Sequence, residues 1–343
     1  MRTCCWRRRP RLAGVRKVFA FAALTAVAFA GRRYLAMRAA MAQAAPELRS
    51  PILPFVSVTY DATSLPVIRR LYQIKTPAGR GVTVTERHVG QPPVRVLVTT
   101  PDGQQAARPG VLSIHGGGMI VGSPQFELGS HGRLARELGA VVVSPDYRLA
   151  PENPFPAGLD DCMTTLYWMR EHAGELGIDA DRVAVTGASA GGGLAAAVAQ
   201  RSHDEGIALR AQALIYPMLD DRAVLRDDHE GRGQLVWNPA SSRFAWTAYL
   251  GREPRMSDAP PPYAAPLRRD DLSGLPPAWI GVGELDLYYP EDVAYAEKLR
   301  ACGVPTELVA VPGMYHAADG FAAKAQSMQE FTAGIDNHLK TYL

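Results

Sequence analysis

VAVTGASAGGGLA, residues 183–195, is an apolar run that halts on a glycine, turns at a serine and resumes as a small-residue helical pattern. Gly187-Ala188-Ser189-Ala190-Gly191 within it is a G-x-S-x-G turn from strand to helix, too tight for side chains beside the serine. Gly187 and Gly191 leave room where Cβ atoms would clash, so the Ser189 hydroxyl can stand exposed above a sheet.

Upstream, VLSI (111–114) runs into His115-Gly116-Gly117-Gly118. Here backbone N–H groups free of flanking side chains can receive an oxyanion. His115 reads as a structural hydrogen-bonder, and no G-x-x-x-x-G-K-[ST] or G-x-G-x-x-G pattern turns the loop into a phosphate cradle. In this order, each after a strand, the two strings point to acyl transfer. The oxyanion donors expected are the amides of Gly117, Gly118 and Ala190, the residue after the nucleophile.

From residue 80 onward, β-type runs alternate with helical patterns. Strands are expected at 82–89, 94–99, 111–115, 141–145, 183–187, 211–216, 278–283 and 306–311, and helices near 124–138, 157–173, 190–203, 291–301 and 323–342. The first two strands alternate polar and apolar residues, as an edge hairpin does; most later ones are almost wholly apolar, as strands buried on both faces of a parallel sheet must be. The class is α/β, a doubly wound and mostly parallel sheet of eight strands whose site opens at the strands' carboxyl ends. Residues 37–80 and about 218–270 break the alternation and read as a helical cap, giving a domain at 81–343 with the second stretch inserted in it.

Ser189 needs a base, and the base needs an orienting acid. In hydrolases of this chain order the acid and then the histidine follow the serine. His338 also follows but lies in the terminal amphipathic helix, where a solvated face explains it, which leaves His316, in PGMYHAADG (312–320) after the last strand, as the base. The acid should follow AWIGVG (278–283). Asp286 is preferred; Glu284 lies too near the strand end, Glu291 and Asp292 open the next helix, and Asp220 and Asp221 after the preceding strand are rivals. Met119, Phe126, Leu219 and Trp237 are candidates for an apolar substrate pocket, and each is equally well explained as core.

The composition, 47% hydrophobic and 21% charged, is that of a globular protein. The net charge of +3 does not argue for a nucleic-acid partner, because much of the excess sits in the first 17 residues. VFAFAALTAVAFA (18–30) follows them, uncharged and short of the about 20 residues a membrane span needs. Residues 1–36 therefore read as a secretory signal or membrane anchor, with Arg32 and Arg33 favouring the anchor, and export or attachment to a membrane is preferred over the cytoplasm. Initiation at Met37 or Met41 is the alternative. Four cysteines make no disulfide framework here, and no Cys/His spacing suits a metal.

Taken together, HGGGMIVGS (115–123), DYRLAPENPFPA (146–157), GASAGGGLA (187–195) and residues 283–321 resemble the hormone-sensitive-lipase-like family of α/β-hydrolases, across about residues 90–340. The resemblance implies an α/β-hydrolase fold and a serine carboxylesterase without cofactor, acting on a small-molecule ester through Ser189, Asp286 and His316, with Gly117, Gly118 and Ala190 as oxyanion donors. An amidase or peptidase using the same triad, or a binding protein that has kept the fold, are the alternatives, and a homodimer is left open. Two departures stand out. Ala188 occupies the place where the family usually has Asp, and DLYYP (286–290) stands for its usual DPLRD-like run.

Overall fold

A computed structural model describes residues 35–103 and 107–343. The basic and apolar segment read at 1–36 lies, but for its last two residues, outside the described residues. Among those described, no helix is long and apolar enough to cross a membrane.

The strands are β1 (Val82–Val89), β2 (Val94–Pro101), β3 (Arg108–Ile114), β4 (Val141–Pro145), β5 (Ile178–Ala188), β6 (Gln212–Ile215), β7 (Ala278–Gly283) and β8 (Thr306–Val311). They form one sheet in the order β1-β2-β4-β3-β5-β6-β7-β8. β1 and β2 pair antiparallel from Val82↔Pro101 to Val89↔Val94, and β2 meets β4 antiparallel. Every later pairing is parallel. β3 and β5 begin earlier than the apolar runs suggest, because Arg108 pairs with Ile178 before a register shift at Gly110. The helix expected at 291 starts at Tyr289, with Pro290 in its first turn, where a missing N–H costs nothing.

Successive residues of the central strands face opposite sides, and helices cover both. Leu112, Val143 and Val185 pack with Leu159, Leu166, Leu194 and Val198 of the helices Ala157–Glu171 and Ala190–Asp204. Their neighbours Val111, Val142 and Ala184 join Leu134, Phe331, Ile335 and Leu339 of Leu128–Leu138 and Gln326–Tyr342. This two-sided burial explains why these strands read as unbroken apolar runs.

The two stretches outside the alternation meet each other. Val236 N donates to Ser57 Oγ at 2.9 Å, Tyr60 N donates to Ser241 Oγ at 2.9 Å, and the rings of Tyr60 and Trp237 lie 5.1 Å apart. Both are also tied to the sheet: Ala45 N donates to Gly313 O at 3.1 Å, and Tyr315 Oη donates to Leu48 O at 2.9 Å. On the other side, the Glu291 carboxylate accepts from the amides of Leu219 and Asp220 at 2.7 and 3.2 Å.

Candidate active site

Ser189 sits between β5 and the helix Ala190–Asp204 with φ 58° and ψ −122°, a conformation a β-carbon makes costly. The surroundings hold it there. Its N–H donates to Ile215 O at 2.8 Å, and its carbonyl accepts from Gly193 N and Met218 N, each at 3.0 Å. The turn is tight against the neighbouring strand end: a Cβ on Gly191 would stand 2.1 Å from Ile114 O.

His316 Nε2 lies 3.0 Å from Ser189 Oγ, and its Nδ1 lies 2.8 Å from Asp286 Oδ2. All three side chains are buried or nearly so, with Asp286 fully enclosed. The loops after β7 and β8 are stitched together by Glu284 N to Val311 O at 3.1 Å and Leu285 N to Met314 O at 3.0 Å. Asp286 is fixed in turn, its N–H donating to Gly283 O and its Oδ1 accepting from Tyr288 N, both at 3.0 Å. One carboxylate oxygen is thereby committed to the backbone and the other to the imidazole, so the ring presents Nε2 to the serine.

Four of the five rival acids are engaged elsewhere or face outward. Asp220 pairs with Arg222 at 2.9 Å and Asp221 with Arg268 at 2.9 Å. Glu291 holds the two amides named above, Glu284 is exposed, and Asp292 is buried with neither carboxylate oxygen hydrogen-bonded among the described residues.

The glycine loop lies opposite. Gly117 (φ 116°) and Gly118 (φ 61°) adopt left-handed conformations, and a Cβ on Gly117 would meet Val121 O at 2.3 Å. The loop's carbonyls are held one after another. His115 O accepts from Tyr147 Oη at 3.0 Å, Gly116 O faces His115 Nδ1 at 2.9 Å, and Gly117 O accepts from Ile120 N and Val121 N at 3.1 and 3.0 Å. A trans peptide is planar, with its N–H opposed to its C=O, so holding the carbonyls of Gly116 and Gly117 aims the N–H groups of Gly117 and Gly118 away from those contacts. Neither amide has a protein acceptor among the described residues, nor has that of Ala190, the first residue of its helix. His115 is stacked on Tyr147 at 4.1 Å, and burial drops its pKa to about 4. The ring is therefore neutral at physiological pH, and its contact to Gly116 O requires the Nδ1–H tautomer. Asp146, beside Tyr147, pairs with Arg95 at 2.8 Å, and Arg148 with Asp161 at 2.8 Å.

Of the expected pocket residues, Trp237 lies over the loop. A Cβ on Gly118 would meet its Cη2 at 2.5 Å, and its ring is 6.3 Å from that of His316. Met119 follows the loop with φ 62° and is buried. Leu219 is wholly enclosed in the core, next to Met218, whose N–H reaches Ser189 O. Phe126 packs at the surface on Tyr72, with ring centres 4.7 Å apart.

Two residues escaped the sequence reading. Tyr216 and Tyr288 set their rings edge-on to His316 at 4.7 and 5.5 Å, and Tyr216 Oη donates to Asp319 Oδ1 at 2.8 Å. Tyr216 could have been found as the last residue of the 211–216 run, at a carboxyl strand end. Tyr288, inside a helix-opening segment, carries no such signal. Among the described residues, no group of three or more His, Cys, Asp or Glu side chains stands where it could hold a metal ion.

A family described as an alpha/beta hydrolase fold matches residues 111–319. The esterase LipI of Mycobacterium tuberculosis is 37% identical over 237 residues, covering 68% of this chain and 72% of its own. Carboxylesterase NlhH of the same species is 36% identical over 301 residues, 82% of this chain and 92% of its own. Among solved structures, a bacterial heroin esterase superposes with a TM-score of 0.81 at 34% identity, over 88% of this chain and 99% of the other.

Proposed function

Because this chain belongs to the hormone-sensitive-lipase-like family of α/β-hydrolases and is a carboxylic ester hydrolase, we propose that it cleaves short- to medium-chain apolar esters through an acyl-enzyme on Ser189. His316 Nε2 takes the Ser189 proton as Oγ attacks the ester carbonyl. The oxyanion of the tetrahedral adduct rests on the amides of Gly117, Gly118 and Ala190. His316 then protonates the leaving alcohol, the C–O bond breaks, and Ser189 is left acylated. Water, deprotonated by the same imidazole, attacks the acyl carbonyl; the bond to Ser189 Oγ breaks, His316 returns the proton to that oxygen, and the acid is freed. Asp286 keeps the ring in its Nδ1–H tautomer and stabilises the imidazolium.

The observation that carries this reading is the relay Ser189–His316–Asp286 at 3.0 and 2.8 Å, with its serine held strained at a helix N-terminus. The preference for small apolar acyl groups rests on the indole of Trp237 closing over the glycine loop.

Hydrolysis of p-nitrophenyl esters from acetate to palmitate, by the full chain and by Ser189→Ala, tests it. Turnover should peak at short chains and fall by on the order of 10⁶ in the variant. Turnover that persists without Ser189 would refute the mechanism, and faster cleavage of matched anilides would make the protein an amidase.

A further inference from the structure

We infer that Glu127 is a positioning residue for the oxyanion hole: its carboxyl, resting on the amide of Gly116, sets the glycine loop at the height from which Gly117 and Gly118 reach the substrate oxygen. The inference rests on the acyl-enzyme reading above and deepens it.

The loop's carbonyls are held in turn, as described. Its one remaining inward amide before the two donors is Gly116 N–H, and this donates to Glu127 Oε1 at 2.9 Å. The peptide joining His115 to Gly116 is thus gripped at both polar ends, by Tyr147 Oη on the carbonyl and by Glu127 on the N–H. Its plane cannot tilt without losing one of them, and the next two planes carry the oxyanion donors.

The turn that carries the carboxyl is well anchored. Glu127 ends the short 3₁₀ turn Pro124–Glu127. In that turn Ser123 Oγ donates to Tyr72 O, Gln125 O accepts from Thr76 N at 3.0 Å, and Gln125 Oε1 takes both terminal nitrogens of Arg95 at 3.0 Å. A glutamate spans from this turn to Gly116; an aspartate there would fall short by one methylene. Length rather than charge is what the site asks for. Burial, and secondarily Asp319, push the Glu127 pKa up to about 7, against the pull of the Gly116 N–H. With that pKa the group is partly protonated at neutral pH, and a carbonyl oxygen at this place accepts from the amide as a carboxylate oxygen does, so the role needs no charge.

Four proteins test the inference: the wild type, Glu127→Ala, Glu127→Asp and Glu127→Gln, each assayed for kcat and KM on p-nitrophenyl butyrate and for inhibition by an aliphatic trifluoromethyl ketone, whose serine adduct carries an oxyanion. In Glu127→Ala kcat should drop about 10-fold with KM little changed, and ketone affinity should drop by the same factor. Glu127→Gln should stay within about 2-fold of wild type, and Glu127→Asp, which keeps the carboxyl and loses the reach, should resemble Ala. If the Ala protein does not fold, the Asp and Gln pair decides. Wild-type kinetics in Ala or Asp, a loss confined to KM, or Gln falling as far as Ala would each overturn the role of Glu127. A wild-type enzyme indifferent to the ketone would overturn the acyl-enzyme reading and this inference with it.

Discussion

The floor and the roof of this site are made by different means. The floor is backbone: a strained serine, a helix N-terminus and a glycine loop, all at carboxyl ends of parallel strands, held by main-chain hydrogen bonds and, in the loop, by the side chains of Tyr147, His115 and Glu127 as well. The roof is side chains: Trp237, with the ring of Tyr60 tilted against it, lies over Gly118 from a segment the sheet does not order. A backbone site tolerates almost no added atom, because peptide groups have no rotamer to retreat to. A side-chain roof can be recut while the chemistry beneath it continues. Floor substitutions should therefore destroy activity, and roof substitutions should redirect it.

The largest effect is expected from Gly191→Ala. Its methyl would lie 2.1 Å from Ile114 O and 2.5 Å from His115 O, both main-chain atoms, so the elbow and the glycine loop cannot both keep their places. A destabilisation of about 3 kcal/mol or more should accompany activity no higher than that of Ser189→Ala. Active-site titration together with a thermal melt reads both. A variant that melts and turns over as wild type does would mean the elbow has slack the geometry denies it.

Next comes Asp286→Asn. The amide can keep the hydrogen bond from Tyr288 N, but with its NH₂ turned to His316 it selects the wrong imidazole tautomer. The expected loss is about 10⁴ in kcat with the melting temperature nearly unchanged. A loss below 10-fold would shift the acid's role to another carboxylate.

The same contrast decides what could be read from the sequence. Strand–helix alternation, the G-x-S-x-G turn and the chain order of acid and histidine are local patterns. They located the eight strands and the three side chains that the structure brings together. Glu127 and Tyr288 were invisible because nothing local distinguishes a glutamate in a short turn, or a tyrosine opening a helix, from surface and core residues of those types. Their meaning comes from Gly116 and His316, contacts that lie outside the residues' own local segments. The roof was legible only as a breach of the alternation, since aromatic side chains without a period do not announce their neighbours. Phe126 shows the cost of that: of the right type and near the loop in sequence, it faces away.

A smaller effect, and the sharper test of the roof, is Trp237→Leu. Leucine keeps an apolar contact with Tyr60 and opens the space above Gly118. One methylene of acyl chain gained or lost in a pocket changes rates about 10-fold or more. The ratio of kcat/KM for hexanoate over acetate should therefore rise by about 10-fold, while kcat on acetate stays near that of the wild type. An unchanged ratio would send the acyl chain elsewhere. Two surface clefts of about 660 and 410 Å³ beside the 218–270 segment, both lined by Arg226 and His229, would then be the places to look.

The smallest effect separates two neighbouring acids that join floor to roof. Glu291 is buried but accepts from the amides of Leu219 and Asp220, clamping the first residues of the roof segment to the helix behind Asp286. Asp292, equally buried, has no hydrogen-bond partner for either oxygen among the described residues. Burial, with Glu291 and then Asp286 close by, pushes its pKa well above the usual carboxylate range. The folded state thus retains a proton that the unfolded chain releases near pH 4. Stability contributed at this position is intact below that pH and declines as pH rises toward the folded pKa. In Asp292→Asn that dependence disappears. The difference in melting temperature between variant and wild type should move in the variant's favour by about 2 °C or more from pH 4 to pH 8, with kcat unchanged. A difference independent of pH would mean that Asp292 is ionised in the folded protein, and the partner missing from its carboxylate would then have to be water.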